Sequence, residues 1–222
     1  KRVRTNLANF PAKSYIIPDS LGTILIISAW NYPYQLSLIP AISAIAAGNT
    51  VVIKPSEIPN NTSKILVELI NANFDEKHLT VIEGGVETTT ELLQQKWDKI
   101  FFTGSTNVGR IVYKAAAKNL TPVTLELGGK SPTFVLADCN IKITAKRIIW
   151  AKFLNAGQTC IAPDYLLVED KIKDQLLLTL KKEIENAYPN NNEVQENYVQ
   201  IVNEKNFNRL EQLIPTDKIY YG

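Results

Sequence analysis

The sequence predicts an α/β protein, with a doubly wound, mostly parallel open sheet over residues 1–127 followed by the first part of a second α/β domain over residues 128–222. Two observations lead there. Short apolar runs rich in branched residues alternate with longer segments of helical spacing through the first half of the chain, the rhythm of βαβ units. The strand-like runs are continuously apolar, as strands covered on both faces are.

Taken in order, 22–28 (GTILIIS) reads as a buried strand and 36–47 as a helix stopped by Gly48-Asn49. A second strand follows at 50–53 (TVVI), then a helix capped by Asn61-Thr62-Ser63 and running to Asn73. A third strand at 79–83 ends in Gly84-Gly85, with a short helix at 88–95. The fourth, 98–103 (DKIFFT), passes through Gly104 and Ser105 into a helix over 108–118, and further strands are expected at 123–127 and 131–136. Beyond Asp138 the pattern becomes a helix at 141–154, a strand at 165–169, a long helix at 171–187, a surface turn at 188–192, a helix at 203–213 and a terminal strand at 218–221. That last strand has nothing to pair with, so the second domain reads as cut off. The absence of Met makes the chain read as part of a longer gene product.

Composition narrows the function. With 45% hydrophobic and 21% charged residues the chain is an ordinary globular sequence. A net charge of +2, without basic runs, argues against a nucleic-acid partner. No stretch reaches the roughly 18–20 uninterrupted apolar residues of a spanning helix. Two cysteines are too few for a disulfide framework, which points to a reducing, cytoplasmic setting. No His/Cys/Asp cluster has metal-ligand spacing, so no metal is expected.

Chemistry concentrates around Cys160, in Asn155-Ala156-Gly157-Gln158-Thr159-Cys160, and Glu126, in Leu125-Glu126-Leu127-Gly128-Gly129-Lys130. A thiolate is a strong nucleophile near neutral pH, and a carboxylate can take its proton or activate water. Together they suggest covalent catalysis on a carbonyl. His78, the single histidine, lies in the polar segment 75–78 and reads as a surface residue rather than a partner for a Cys-His enzyme. Cys139 reads as structural.

Three strand-end segments admit two readings each. Gly104-Ser105-Thr106-Asn107-Val108-Gly109, at a strand-to-helix junction, is either a phosphate site or an ordinary βα turn; Thr106 replaces the central glycine of the usual dinucleotide fingerprint. Lys54-Pro55-Ser56-Glu57 either grips a ribose or is a solvated turn. In Trp30-Asn31-Tyr32-Pro33 the Asn31 amide either donates to an oxyanion or forms a turn.

In this order, with Phe102-Thr103-Gly104-Ser105 and Gly157-Gln158-Thr159-Cys160, these segments resemble the aldehyde dehydrogenase superfamily. Pro122-Val123-Thr124-Leu125 and Cys160-Ile161-Ala162-Pro163-Asp164-Tyr165 are most similar to its class 3 branch. The resemblance implies a Rossmann-like cofactor domain, NAD or NADP as cofactor, and oxidation of a medium- or long-chain aliphatic or aromatic aldehyde. It makes Cys160 the nucleophile, Glu126 the general base and Asn31 the oxyanion donor. Trp30, Lys54, Glu57, Gly104, Ser105, Gly109, Leu127 and Gly128 would contact the cofactor. It also implies a homodimer. Family members run to roughly twice this length and carry a Glu-Glu-Ile-Phe-Gly-Pro segment that this chain lacks. A nucleotide-binding module without turnover and a Cys160-dependent acyl-transferring enzyme are the rival readings.

Overall fold

The computed structural model describes residues 1–189 and 198–222. The chain forms two compact units, Lys1–Glu126 and Leu127–Gly222.

In the first unit a short antiparallel ladder joins β1 (Arg2–Val3) to β2 (Ser14–Tyr15). Two-residue strands leave no periodic trace in a sequence, and neither was expected. The main sheet comprises β3 (Thr23–Ile27), β4 (Thr50–Lys54), β5 (Leu79–Val81), β6 (Lys99–Gly104) and β7 (Val123–Leu127), in the order β5-β4-β3-β6-β7. The pairings of β3 with β4, β3 with β6 and β4 with β5 are parallel. The helices between strands are α1 (Pro33–Ala46), α2 (Asn60–Asn73), α3 (Val86–Gln94) and α4 (Thr106–Ala117).

The central strand is buried on both faces, with Leu25 and Ile26 at 0% exposure, which is why its run is continuously apolar. Burying each such side chain contributes about 1.5–3 kcal/mol. Ile24, Ile26, Val51 and Ile53 meet Ala41 of α1 and Leu66 and Ile70 of α2 in one core.

Several boundaries differ from expectation by one to three residues, α3 and α4 each starting two residues early, and two of the differences have a clear local cause. Helix α1 starts at Pro33, whose fixed φ and missing N–H suit a first helical position, rather than at Leu36. Helix α2 starts after Pro59 with no side-chain cap; the Ser63 hydroxyl, expected in the cap, is buried and donates to the Ser56 carbonyl at 2.7 Å.

The second unit is a βαβ unit carrying further helices. Strands β8 (Pro132–Val135) and β9 (Tyr165–Val168) pair in parallel, joined through α5 (Ile141–Phe153) and followed by α6 (Asp170–Ala187). Val135, Ala145, Ile148, Ile172 and Leu176 form its core, against which Cys139 packs. Helix α7 (Glu204–Glu211) is capped by the Asn203 side chain. The terminal strand expected at 218–221 is absent: a 3₁₀ turn spans Thr216–Lys218, and the residues after it adopt no regular structure. β-Branched and aromatic residues make a strand only where another strand satisfies its backbone groups. Of the turn expected at 188–192, residues 190–192 lie outside the described residues.

Candidate active site

Register places most of the sequence-predicted cofactor residues on one edge of the main sheet. Ile27 of β3 pairs with Lys54 of β4 and with Phe102 of β6, so the three stand in one row. The segments that follow them, Ser28–Asn31, Pro55–Glu57 and Thr103–Ser105, therefore emerge together at the carboxyl ends of adjacent strands. The strand order reverses between β3 and β6: chain progression runs outward through β4 and β5, then returns to β6 and β7. A crevice at such a reversal is where open α/β sheets bind ligands.

Each segment is held by local chemistry. Ser28 Oγ and Ser37 Oγ of α1 are hydrogen-bonded at 2.7 Å, both buried, and Ser28 N–H donates to the Lys54 carbonyl at 3.1 Å. This fixes where β3 hands over to α1, and with it the half-buried Trp30 and Asn31 between them. Lys54 is buried at 3% exposure and its Nζ donates to Glu57 Oε2 at 3.1 Å. Burial pushes the Glu57 carboxyl upward, but its own backbone N–H and the Lys54 ammonium outweigh that, leaving its pKa below the ordinary glutamate value.

Beyond β6, Ser105 caps α4, its hydroxyl accepting from Val108 N–H at 3.3 Å. The first N–H groups of a helix have no intrahelical acceptor, and its dipole favours an anion there. Gly104 is required by its neighbour: a Cβ there would stand 2.6 Å from Cζ of the buried Phe102 ring. Gly109 is buried in α4 and its N–H already donates to the Ser105 carbonyl at 2.9 Å, so it offers space rather than a donor. Thr103 is 9% exposed, and its Oγ1 has no hydrogen-bond partner among the described residues. An orphaned buried hydroxyl at a strand's carboxyl end fits an edge completed by a polar ligand.

In the second unit Cys160 is an exposed free thiol in the connection from α5 to β9. Immediately before it the backbone turns left-handed at three successive residues, with φ of 51° at Asn155, 53° at Ala156 and 71° at Gly157. Gly157 suits that conformation, and a Cβ there would approach the Lys152 carbonyl to 3.0 Å. Gln158 N–H donates to the Asn155 carbonyl at 3.0 Å, and after Cys160 the turn is closed by Ala162 N–H donating to Thr159 at 3.1 Å. Asp164 anchors the way out: its N–H donates to the Ser131 carbonyl at 3.0 Å and its carboxylate pairs with Lys130 at 3.2 Å.

Glu126, on β7, is exposed and is the last residue of the first unit; Leu127 and Gly128 open the second. A Cβ on Gly128 would meet no atom within 4 Å, so packing within the chain does not demand a glycine there. His78 is exposed in the 75–78 turn, its N–H donating to the Asp75 carbonyl at 2.8 Å. Among the described residues no group of three or more His, Cys, Asp or Glu is placed to hold a metal ion, and no helix is long and apolar enough to cross a membrane.

Two residues inside the quoted motifs were given no role by the sequence reading. Thr103 carries no motif signal beyond its neighbours; its burial without a partner singles it out. Gln158 bonds the backbone of residues 200 and 202, and no local pattern announces partners so far along the chain.

Comparison with known proteins agrees with this architecture. The aldehyde dehydrogenase family model matches residues 4–218. The chain is 49% identical over 222 residues to aldehyde dehydrogenase family 3 member A2 of Pongo abelii, covering 100% of this chain and 46% of that protein. It is 51% identical over 214 residues to the 4,4'-diaponeurosporen-aldehyde dehydrogenase of Staphylococcus aureus, covering 96% of this chain and 47% of that one. The solved substrate-bound state of Staphylococcus aureus AldH matches with a TM-score of 0.91 at 51% identity, over 96% of this chain and 46% of that chain. The chain thus spans about half the length of the curated relatives it matches. With its sheet, its ordered motifs and these likenesses in agreement, the chain belongs to the aldehyde dehydrogenase family.

Proposed function

We propose that the whole protein oxidises an aldehyde to its carboxylic acid with NAD(P), through a covalent intermediate on Cys160. The observation that carries this reading is the exposed Cys160 thiol on a connection preceded by a three-residue left-handed turn. The family uses NAD(P), and the Lys54–Glu57 pair and the Ser105 cap at the carboxyl edge of the first unit support the same cofactor here. Lys54 and Glu57 would hold the adenosine ribose hydroxyls, while Ser105 and the start of α4 would receive the pyrophosphate. Gly104 and Gly109 would leave room beside it, and Trp30, Leu127 and Gly128 would line the remainder. Bound NAD(P) supplies the hydride acceptor.

The chain's own residues would do the rest. The Cys160 thiolate attacks the aldehyde carbon, forming the C–S bond of a thiohemiacetal. The Asn31 amide and the Cys160 N–H donate to the oxygen as it gains charge, a type of contact worth about 2.7–4 kcal/mol elsewhere. After oxidation to the thioester, Glu126 takes a proton from water as its oxygen attacks the acyl carbon. The C–S bond breaks and the acid leaves. A medium- or long-chain aliphatic or aromatic aldehyde is the proposed substrate. The name of the Staphylococcus aureus relative, 4,4'-diaponeurosporen-aldehyde dehydrogenase, supports an aldehyde as the substrate.

The test is NAD(P)H formation by the full-length protein on a panel from hexanal to dodecanal plus benzaldehyde, beside its Cys160→Ser variant. Reduction by the parent alone is the expected result. Cofactor binding without reduction by either would leave a nucleotide-binding module in its place.

A further inference from the structure

The left-handed turn before Cys160 is strained, and one side chain gathers the bonds that hold it. Asn155 and Ala156 are not glycines, yet both sit in the left-handed region that disfavours residues with a Cβ. The Gln158 amide faces the turn on one side and a separate segment on the other. Its Nε2 donates to the Asn155 carbonyl at 3.1 Å and to the Gln200 carbonyl at 3.2 Å, while its Oε1 accepts from Val202 N–H at 2.9 Å. Asn155 Nδ2 reciprocates with a longer bond to the Gln158 carbonyl at 3.4 Å. Both ends of one half-buried amide are thus engaged by backbone groups.

We propose that Gln158 is a positioning residue for the Cys160 nucleophile, stapling the left-handed turn to the backbone at residues 200–202. This rests on the reading of Cys160 as nucleophile and deepens it. The chemistry asks for an amide at this position. A carboxylate of the same size keeps the acceptor for Val202 but sets a negative oxygen against two carbonyls. An apolar side chain of similar length satisfies none of the three groups. A nucleophile two residues downstream, released from its turn, loses alignment with the carbonyl it attacks. Such loss lowers the rate of the chemical step without touching the residues proposed for the cofactor, because misplacement of about 1 Å can lower rates about 100-fold.

The experiment compares the full-length enzyme with Gln158→Glu, Gln158→Met and Cys160→Ser, recording kcat, KM for NAD and far-ultraviolet circular dichroism. For both Gln158 variants the expected result is a native spectrum, kcat lowered about 10–100-fold and KM for NAD within about twofold of the parent. The kcat of Gln158→Glu relative to the parent at the same pH should rise as pH is lowered, because a protonated carboxyl regains a donor; that of Gln158→Met should stay flat. A purely structural role would instead change the spectrum and KM for NAD together with kcat. If Cys160→Ser abolishes oxidation while both Gln158 variants keep kcat within twofold, the positioning inference fails alone. If Cys160→Ser oxidises aldehyde normally, the nucleophile reading itself fails. Unfolding of either Gln158 variant also overturns the inference, since Gln158 would then hold the unit rather than the turn.

Discussion

Lys54 Nζ and Glu57 Oε2 lie 3.1 Å apart, but their side chains live in different surroundings, 4% exposed for the lysine and 51% for the glutamate. The buried cation is locked by the sheet edge, and the exposed anion is the half that meets solvent or a ligand. The pair therefore behaves as a donor–acceptor fork at the end of β4 rather than as a stability element, because solvent screens its outer partner.

The first prediction concerns pH. The folded-state pKa of Glu57 lies below its unfolded-state value, so its contribution to stability is complete above the unfolded value and disappears as pH falls through the folded one. The stability difference between the parent and Glu57→Gln should be below about 1 kcal/mol near neutrality and vanish on acidification. Urea denaturation of both proteins across that range checks it; a difference that grows as pH falls would contradict it.

The second concerns cofactor choice. A carboxylate near the ribose repels a 2′-phosphate, and one such like-charge contact in a wet site amounts to about 1 kcal/mol. Glu57→Gln should raise the ratio of kcat/KM with NADP to that with NAD by about fivefold. Steady-state kinetics with both cofactors read this directly. An unchanged ratio would remove Glu57 from the ribose site.

The third concerns Gly104. Since a Cβ would press on the buried Phe102 ring, Gly104→Ala should destabilise by about 1–3 kcal/mol. Adding Phe102→Leu, which withdraws the ring, should recover part of that loss when the two substitutions are combined. Thermal unfolding of the single and double variants decides whether the clash is the cause.

The fourth concerns the turn before Cys160. At Ala156 a glycine removes about 1–2 kcal/mol of left-handed strain but adds about 0.5–1 kcal/mol of backbone entropy, so Ala156→Gly should stabilise by about 0.5–1 kcal/mol. At Gly157 the same exchange in reverse carries the additional crowding against the Lys152 carbonyl. Gly157→Ala should destabilise by at least about 1–2 kcal/mol. Denaturation midpoints of opposite sign at adjacent residues would be hard to obtain from any right-handed turn.

Legibility in the sequence followed how local each feature is. Strands β3, β4 and β6 were readable because burial on both faces leaves an apolar run such as Ile24–Ile27, whereas α4, expected from Val108, begins at Thr106 directly after its Ser105 cap. The strand expected at 218–221 failed because strand formation depends on a partner elsewhere, which residue type cannot reveal. Ser63 looked like a cap by type, yet its hydroxyl turned inward to Ser56 because Pro59 and the preceding turn placed the helix start earlier. The residues at the sheet edge were legible as motifs at strand ends. The role drawn for Gln158 was not, since it exists only through contacts with residues 200 and 202.

The central claim is that Cys160 carries the acyl group and Glu126 activates the water that removes it. The most direct test mixes the full-length Glu126→Gln variant with NAD and hexanal, quenches in acid and maps the peptide containing Cys160 by mass spectrometry. The account predicts one NADH per site and a Cys160 peptide heavier by one hexanoyl group, because the thioester forms and then waits for a base. NADH production with an unmodified Cys160 peptide, or an acyl group on another residue, would contradict it.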